Sequence, residues 1–189
     1  TTLLQVIAGL EGSEGENAKI QFKKDLRIEY LTQEPEFNPE HTVMDAIFAS
    51  ENPVLQAVKE YESALLHPEN EDRMQKAMNK MEDHEAWDME SKVKEILTKL
   101  KIGDFELQVK NLSGGQVKRL ALAKVLISEP ELLILDEPTN HLDMEMIEWL
   151  ENYLQHPGLT LLLVTHDRYF LENVCNQILE LENGNIYKY

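Results

Sequence analysis

The chain has 189 residues, enough for one domain or one domain with an appendage, and 42% of them are apolar, enough for a core. With 35 acidic against 18 basic residues the net charge is −17, so the chain as a whole is repelled by nucleic acid and anionic membrane, and any such contact needs a local basic patch or basic residues outside these 189. A single cysteine excludes an intramolecular disulfide, the 6 histidines form no Cys/His group at zinc spacing, and no apolar run is long enough for a membrane span or a signal peptide.

In chain order, the opening segment from Thr1 to Leu10 reads as a helix. Ala18 to Phe22 and Leu26 to Leu31 read as strands, with Gln33 just beyond the second. Glu34-Pro35 and Asn38-Pro39 break regular structure, and Thr42 is placed to cap a helix running from Met44 to Ala49. From Asn52 to Leu100 the pattern is helical. Val54, Leu55, Val58, Tyr61 and Leu65 mark one stripe, Met74, Met78 and Met81 a second, and Trp87, Val93, Ile96, Leu97 and Leu100 a third. His67-Pro68-Glu69-Asn70 is the turn between the first two. Such stripes are read as helix-packing core. Lys92, Lys94, Lys99 and Lys101 form a modest basic cluster, whose interleaved charges read as a solvated helix face.

Chemistry enters at Leu112-Ser113-Gly114-Gly115-Gln116, followed by Val117, Leu120, Ala121, Val125 and Leu126 at helical spacing. Ser113 sits where an N-cap belongs. The two glycines let backbone N–H groups approach an anion, and the helix N-terminus adds partial positive charge. A run of branched apolar residues, Leu132 to Ile134 and Leu135, then ends in Asp136 and Glu137, as expected of a buried parallel strand delivering carboxylates to its C-terminal edge. Asp136 is placed to reach Mg²⁺ on a nucleotide, and Glu137 to orient and polarise the water attacking a γ-phosphate. Leu159 to Thr165 is another apolar strand, with His166 at its end. Cys175, among Phe170, Leu171 and Val174, reads as a small half-buried residue. Ile178 to Glu182 and Ile186 to Tyr189 flank Asn183-Gly184, a hairpin signal.

Taken together, residues 112–143, LSGGQVKRLALAKVLISEPELLILDEPTNHLD, resemble the ATP-binding cassette (ABC) ATPases. LSGGQ is similar to their signature motif, LLILD to their Walker B strand, and Asn140 to Asp143 to their D-loop. The string EPTNHLD resembles the ABC-F class, soluble proteins with two cassettes in one polypeptide, and the region around Trp87 looks most like the first cassette of its Uup-like branch. The resemblance spans essentially the whole chain and implies an α/β fold: an ABC-type P-loop NTPase core with a mostly parallel sheet, plus an inserted α-helical subdomain or arm. It implies ATP and Mg²⁺ as cofactors. Glu137 matches the catalytic carboxylate, His166 the switch histidine that contacts the γ-phosphate, and Gln33 the Q-loop glutamine that reaches Mg²⁺ and the attacking water. Thr1 matches the Mg²⁺-binding hydroxyl position and Thr2 the residue after it, so the metal set implied is Thr1, Gln33 and Asp136. Two cassettes of the family close head to tail. Ser113, Gly114, Gly115 and Gln116, with Asp143, are then expected to serve nucleotide at the shared interface, while the remaining residues serve this cassette's own ATP.

The expected organisation is a partial ATP-binding core over residues 1–50, a helical subdomain over 51–111, and the signature, Walker B, D-loop, switch histidine and hairpin over 112–189. The interval from Gln33 to Ser113 is longer than in transporter cassettes. Helices from about Val54 to Met81 fit either the projecting arm of ABC-F proteins or a slightly enlarged subdomain. No G-x-x-x-x-G-K-[ST] phosphate loop occurs in the sequence, which is expected to be a fragment of a longer chain, binding ATP weakly and hydrolysing it negligibly by itself. The resemblance implies a cytoplasmic location, a second cassette in cis, and a ribosomal partner of rRNA and ribosomal protein, with DNA as an alternative. Competing readings are the ATPase subunit of a membrane transporter, against which NHLD and the long interval argue, and a non-catalytic assembly module, against which intact Asp136, Glu137 and His166 argue.

Overall fold

A computed structural model describes residues 2–12, 20–50 and 52–189. The chain divides into two compact units, Thr1–Gln33 with Pro130–Tyr189, and Glu34–Glu129.

The first unit is built on a parallel sheet. Helix α1 (Thr2–Ile7) buries Leu4 and stops at Gly9, whose φ of 76° lets the Gly9 and Leu10 N–H groups fold back onto the Val6 and Gln5 carbonyls. Strand β1 (Ile28–Leu31) begins two residues later than the sequence suggests, because Asp25 takes a left-handed conformation and the Leu26 N–H turns back to the Lys23 carbonyl. The strand expected over Ala18 to Phe22 is not present at Ile20–Phe22, which have no regular structure, and Ala18 lies outside the described residues.

In the second unit, α2 (Val43–Phe48) starts at the expected cap. The Thr42 hydroxyl accepts the Asp45 N–H at 3.0 Å, and the Asp45 carboxylate accepts the Thr42 N–H at 3.1 Å. Helix α3 (Pro53–Leu65) and α4 (Glu71–Asp83) form an antiparallel hairpin across the expected 67–70 turn, tied by Lys80 to Glu60 and by Arg73 to Ser63. Leu55, Ala57, Val58, Ala64, Ala77 and Met81 form its buried seam, whereas Met78 and Leu65 are exposed. Trp87 belongs to a short 3₁₀ turn and stacks edge-on against Tyr61 at 5.3 Å, still exposed, so it does not join the buried stripe that Val93, Ile96, Leu97 and Leu100 make on α5 (Met89–Lys99).

Helix α6 (Gly114–Ile127) is buried nearly all round from Leu120 to Ile127. Its one polar residue there, Lys124, escapes to the Ala49 carbonyl at 3.2 Å and lies over the Phe37 ring. The segment leading to α6 is fixed by backbone bonds from Val43 to Leu107, Val109 to His41 and Lys110 to Pro39. These clamp the chain just before Ser113.

Back in the first unit, β2 (Leu132–Asp136) is the central strand, and Leu133, Ile134 and Leu135 are fully buried. It pairs in parallel with β1 through Ile28↔Leu132 to Leu31↔Leu135, and with β3 (Thr160–Val164) through Leu132↔Thr160 to Asp136↔Val164. Helix α7 (Met144–Leu154) buries Met146, Leu150 and Leu154, a single stripe at four-residue spacing. Helix α8 (Arg168–Val174) buries Phe170, a contribution of about 1.5–3 kcal/mol. The hairpin of β4 (Leu179–Glu182) and β5 (Asn185–Lys188) turns through Asn183 and Gly184 with φ of 49° and 78°, as its Asn-Gly pair requires. Among the described residues no helix is long and apolar enough to cross a membrane.

Candidate active site

The parallel register brings the C-terminal ends of three strands to one edge, where ligands of such sheets bind. Asp136, the last residue of β2, is one of few buried polar residues and 5% exposed. Burying a carboxylate costs free energy unless hydrogen bonds replace its water. Gln33, two residues beyond β1, supplies one through Nε2 to Asp136 Oδ2 at 3.0 Å. On β1, the phenol of Tyr30 is pushed above its ordinary range, first by burial and then by the negative charges of Asp136 and Glu11.

Glu137 follows in a left-handed conformation, φ 53°, which a non-glycine residue adopts at some cost and holds only when its surroundings fix it. Here they do. Its N–H donates to the Val164 carbonyl at 2.7 Å, extending the β2–β3 ladder past the strand end. Its Oε2 accepts from the Thr165 hydroxyl at 3.2 Å and from the His166 N–H at 3.3 Å, while Oε1 lies 3.4 Å from His166 Nε2. The Glu137 side chain is 19% exposed and that of His166 98%, so the carboxylate is anchored and the imidazole faces outward.

Gln33 with Asp136, and Glu137 with His166, are therefore two contacting pairs at adjacent positions of one strand end. Thr2 opens α1, and Thr1 lies outside the described residues. Asp143 caps α7, accepting the Met146 N–H at 3.1 Å, after a turn in which His141 has φ 70°. Ser113, Gly114, Gly115 and Gln116 belong to the second unit. Ser113 caps α6 in a reciprocal box: its hydroxyl accepts the Gln116 N–H at 3.3 Å, and Gln116 Oε1 accepts the Ser113 N–H at 2.9 Å. A Cβ at Gly114 would meet no atom within 4 Å, so packing does not require a glycine there. Sequence reasoning missed Thr165, whose signal was only its place between a predicted strand and the histidine, and Tyr30.

A parallel sheet ending in anchored carboxylates, with a capped glycine helix start, defines a nucleotide-binding cassette fold, and the comparisons agree. The chain belongs to the ABC transporter family, whose model matches residues 1–140. It is 50% identical over its whole length to an uncharacterized ABC transporter ATP-binding protein, YfmR, of Bacillus subtilis, covering 31% of that protein. It is 37% identical over 97% of its length to the energy-dependent translational throttle protein EttA of Escherichia coli K12, covering 34% of it. It is 33% identical over its whole length to the ATP-binding protein Uup of Haemophilus influenzae, covering 30%. The ABC-F, Uup-like assignment made from the motifs agrees with these relatives, and the chain spans about a third of their length.

Among solved structures, an archaeal ribosome recycling factor, aABCE1, in complex with the ribosomal stalk protein aP1 matches at 26% identity and TM-score 0.61, over 99% of this chain and 30% of that one. The ATP-binding subunit of an ABC transporter matches at 19% identity and TM-score 0.68, over the whole chain and 72% of that one, which shows the shared fold.

Proposed function

We propose that these residues form an ATP-binding and ATP-hydrolysing cassette of a cytoplasmic ABC-F protein that works on the ribosome as a translation factor. The observation that carries the hydrolytic part is the strand-end arrangement of Asp136 held by Gln33 beside Glu137 held by Thr165 and His166. The ribosomal part is supported by two similar proteins whose names place them in translation and ribosome recycling.

Mg²⁺ suits this site, because it takes hard oxygen ligands, few of them from protein, and leaves the rest to phosphate and water. Asp136 contributes a carboxylate. Gln33, whose Nε2 donates to Asp136, would offer an amide oxygen, and Thr1 would offer a hydroxyl on motif grounds alone. When bound, the ion neutralises charge on the phosphates. Glu137 Oε1 orients the attacking water and takes up its proton as the new bond to the γ-phosphorus forms and the bond to the ADP oxygen breaks. His166 is outward and in contact with Glu137, and on this reading it is the group that contacts the γ-phosphate. Ser113 to Gln116 start a 14-residue helix whose N-terminus suits nucleotide held by a second cassette, and Asp143 is assigned to nucleotide on motif grounds alone. By themselves, the 189 residues carry no glycine-lysine phosphate loop and bind ATP weakly on this reading.

Glu137→Gln keeps the size of the side chain and, through its amide oxygen, an acceptor for Thr165 and the His166 N–H, but removes the base. In the full-length protein whose second cassette already carries the matching change, it should leave ATP affinity within about 3-fold while lowering turnover at least ~100-fold. Steady-state phosphate release beside equilibrium nucleotide binding checks this, and unchanged turnover would remove Glu137 from its role.

A further inference from the structure

We propose that Thr165 is a positioning residue for the hydrolytic carboxylate, dividing the two oxygens of Glu137 between an anchored one and a working one. The inference rests on the hydrolytic reading of Glu137.

The hydrogen bonds carry it. A threonine hydroxyl has one proton to give. At Thr165, Oγ1 accepts the N–H of Asp167 at 3.2 Å, which leaves the proton to Glu137 Oε2, also at 3.2 Å. The same Oε2 takes the His166 N–H at 3.3 Å, so two donors converge on one oxygen. Oε1 receives neither and faces the imidazole of His166 at 3.4 Å.

The hydroxyl's own orientation is fixed in turn. Asp167 caps α8, its Oδ1 accepting the Phe170 N–H at 3.1 Å, and Phe170 is fully buried. From the buried ring through the capped helix to the hydroxyl, each step fixes the next, and the last is the carboxylate. Glu137 needs such support, because its backbone sits in the left-handed region and its N–H is spent on Val164. Without the hydroxyl, one of the two bonds that stop the carboxyl group rotating is lost. Oε1 is then no longer held where it takes the water's proton. A base displaced in this way slows the chemical step and leaves substrate binding alone.

The test is Thr165→Val, which keeps shape and removes the hydroxyl, in the full-length ATPase whose second cassette carries the matching carboxylate-to-amide change, so that turnover reports this site. We expect kcat to fall about 10-fold with KM for ATP within ~2-fold, and Thr165→Ser to restore kcat to within ~3-fold. Placed on Glu137→Gln, Thr165→Val should lower the residual turnover by less than about 2-fold, because the group it positions is already gone. Unchanged kcat in Thr165→Val overturns the proposal, as does failure of serine to rescue, which would make the methyl's packing the cause. A full additional loss on the Glu137→Gln background overturns it too. Should the valine variant not fold, Thr165→Ala serves with the same expectations. If Glu137→Gln itself retains turnover, the hydrolytic reading fails instead, and the two failures are thus distinguishable.

Discussion

At the scale of single residues, Glu131 shows how one carboxylate organises a strand start. Its N–H and that of Leu132 both donate to the Arg27 carbonyl, and its own carbonyl accepts from Thr160, so it joins the openings of all three parallel strands. Its side chain receives the Arg27 N–H at 3.5 Å and lies 3.4 Å from Lys23 Nζ. The Arg27 backbone bond first, and Lys23 second, hold its carboxyl below the ordinary glutamate range. A carboxylate depressed in the folded state stabilises the fold above its unfolded value, and the contribution disappears as pH falls through the folded one. Glu131→Gln should therefore lower the melting temperature at about pH 7, with the deficit shrinking towards ~pH 3. Thermal unfolding at both values measures it, and an equal deficit at each would mean that the charge is irrelevant. The strand-end placement of Asp136 and Glu137 was legible in sequence because the apolar run stopped by two acids stands beside the LSGGQ, NHLD and VTHD motifs, whereas alone it also fits a solvated acidic turn. Thr165 was not, because its partner depends on the Asp136↔Val164 register, which joins segments far apart in the chain.

At the scale of elements, local signals were reliable where the chain decides its own geometry. The Thr42 and Ser113 caps, the 67–70 turn and the Asn183-Gly184 hairpin formed as expected. Signals of burial were less so. Met78 and Trp87 repeat at helical spacing yet are exposed, because α4 packs on one side only and Trp87 sits in a 3₁₀ turn. The start of α3 combines a local and a distant device. Asn52 Oδ1 accepts the Val54 N–H at 2.9 Å with Pro53 at the first helical position, while Nδ2 donates to the Ser128 carbonyl at 3.2 Å, just past the end of α6. The cap follows from sequence grammar, but the second bond does not, since it needs the fold. Asn52→Ala should cost about 1–2 kcal/mol, a fall in melting temperature of about 2–8 °C. Asn52→Asp should recover the cap but not the bond to Ser128. If Asn52→Asp melts with the unsubstituted protein, the Ser128 contact contributes nothing.

At the scale of the whole molecule, the charge of −17 bears on the proposed ribosomal role. A chain with 35 acidic and 18 basic residues gains little from a polyphosphate surface by counterion release, so nonspecific adhesion to RNA is weak at physiological salt. On the proposed reading, binding would then come from shape and local contacts of these residues or from basic residues elsewhere in the full-length protein, and closure of two cassettes would make it depend on nucleotide. The predicted readout is retention of the full-length protein on ribosomes, with Glu137→Gln in this cassette and the matching change in the second. Blocking hydrolysis traps the closed state, and retention should then require ATP and persist at about 0.15 M salt. Retention equal with and without ATP would indicate adhesion unrelated to the switch. Absence of retention in both would overturn the translation reading while leaving the ATPase site intact, since the strand-end geometry of Asp136 and Glu137 does not depend on which macromolecule the closed state engages.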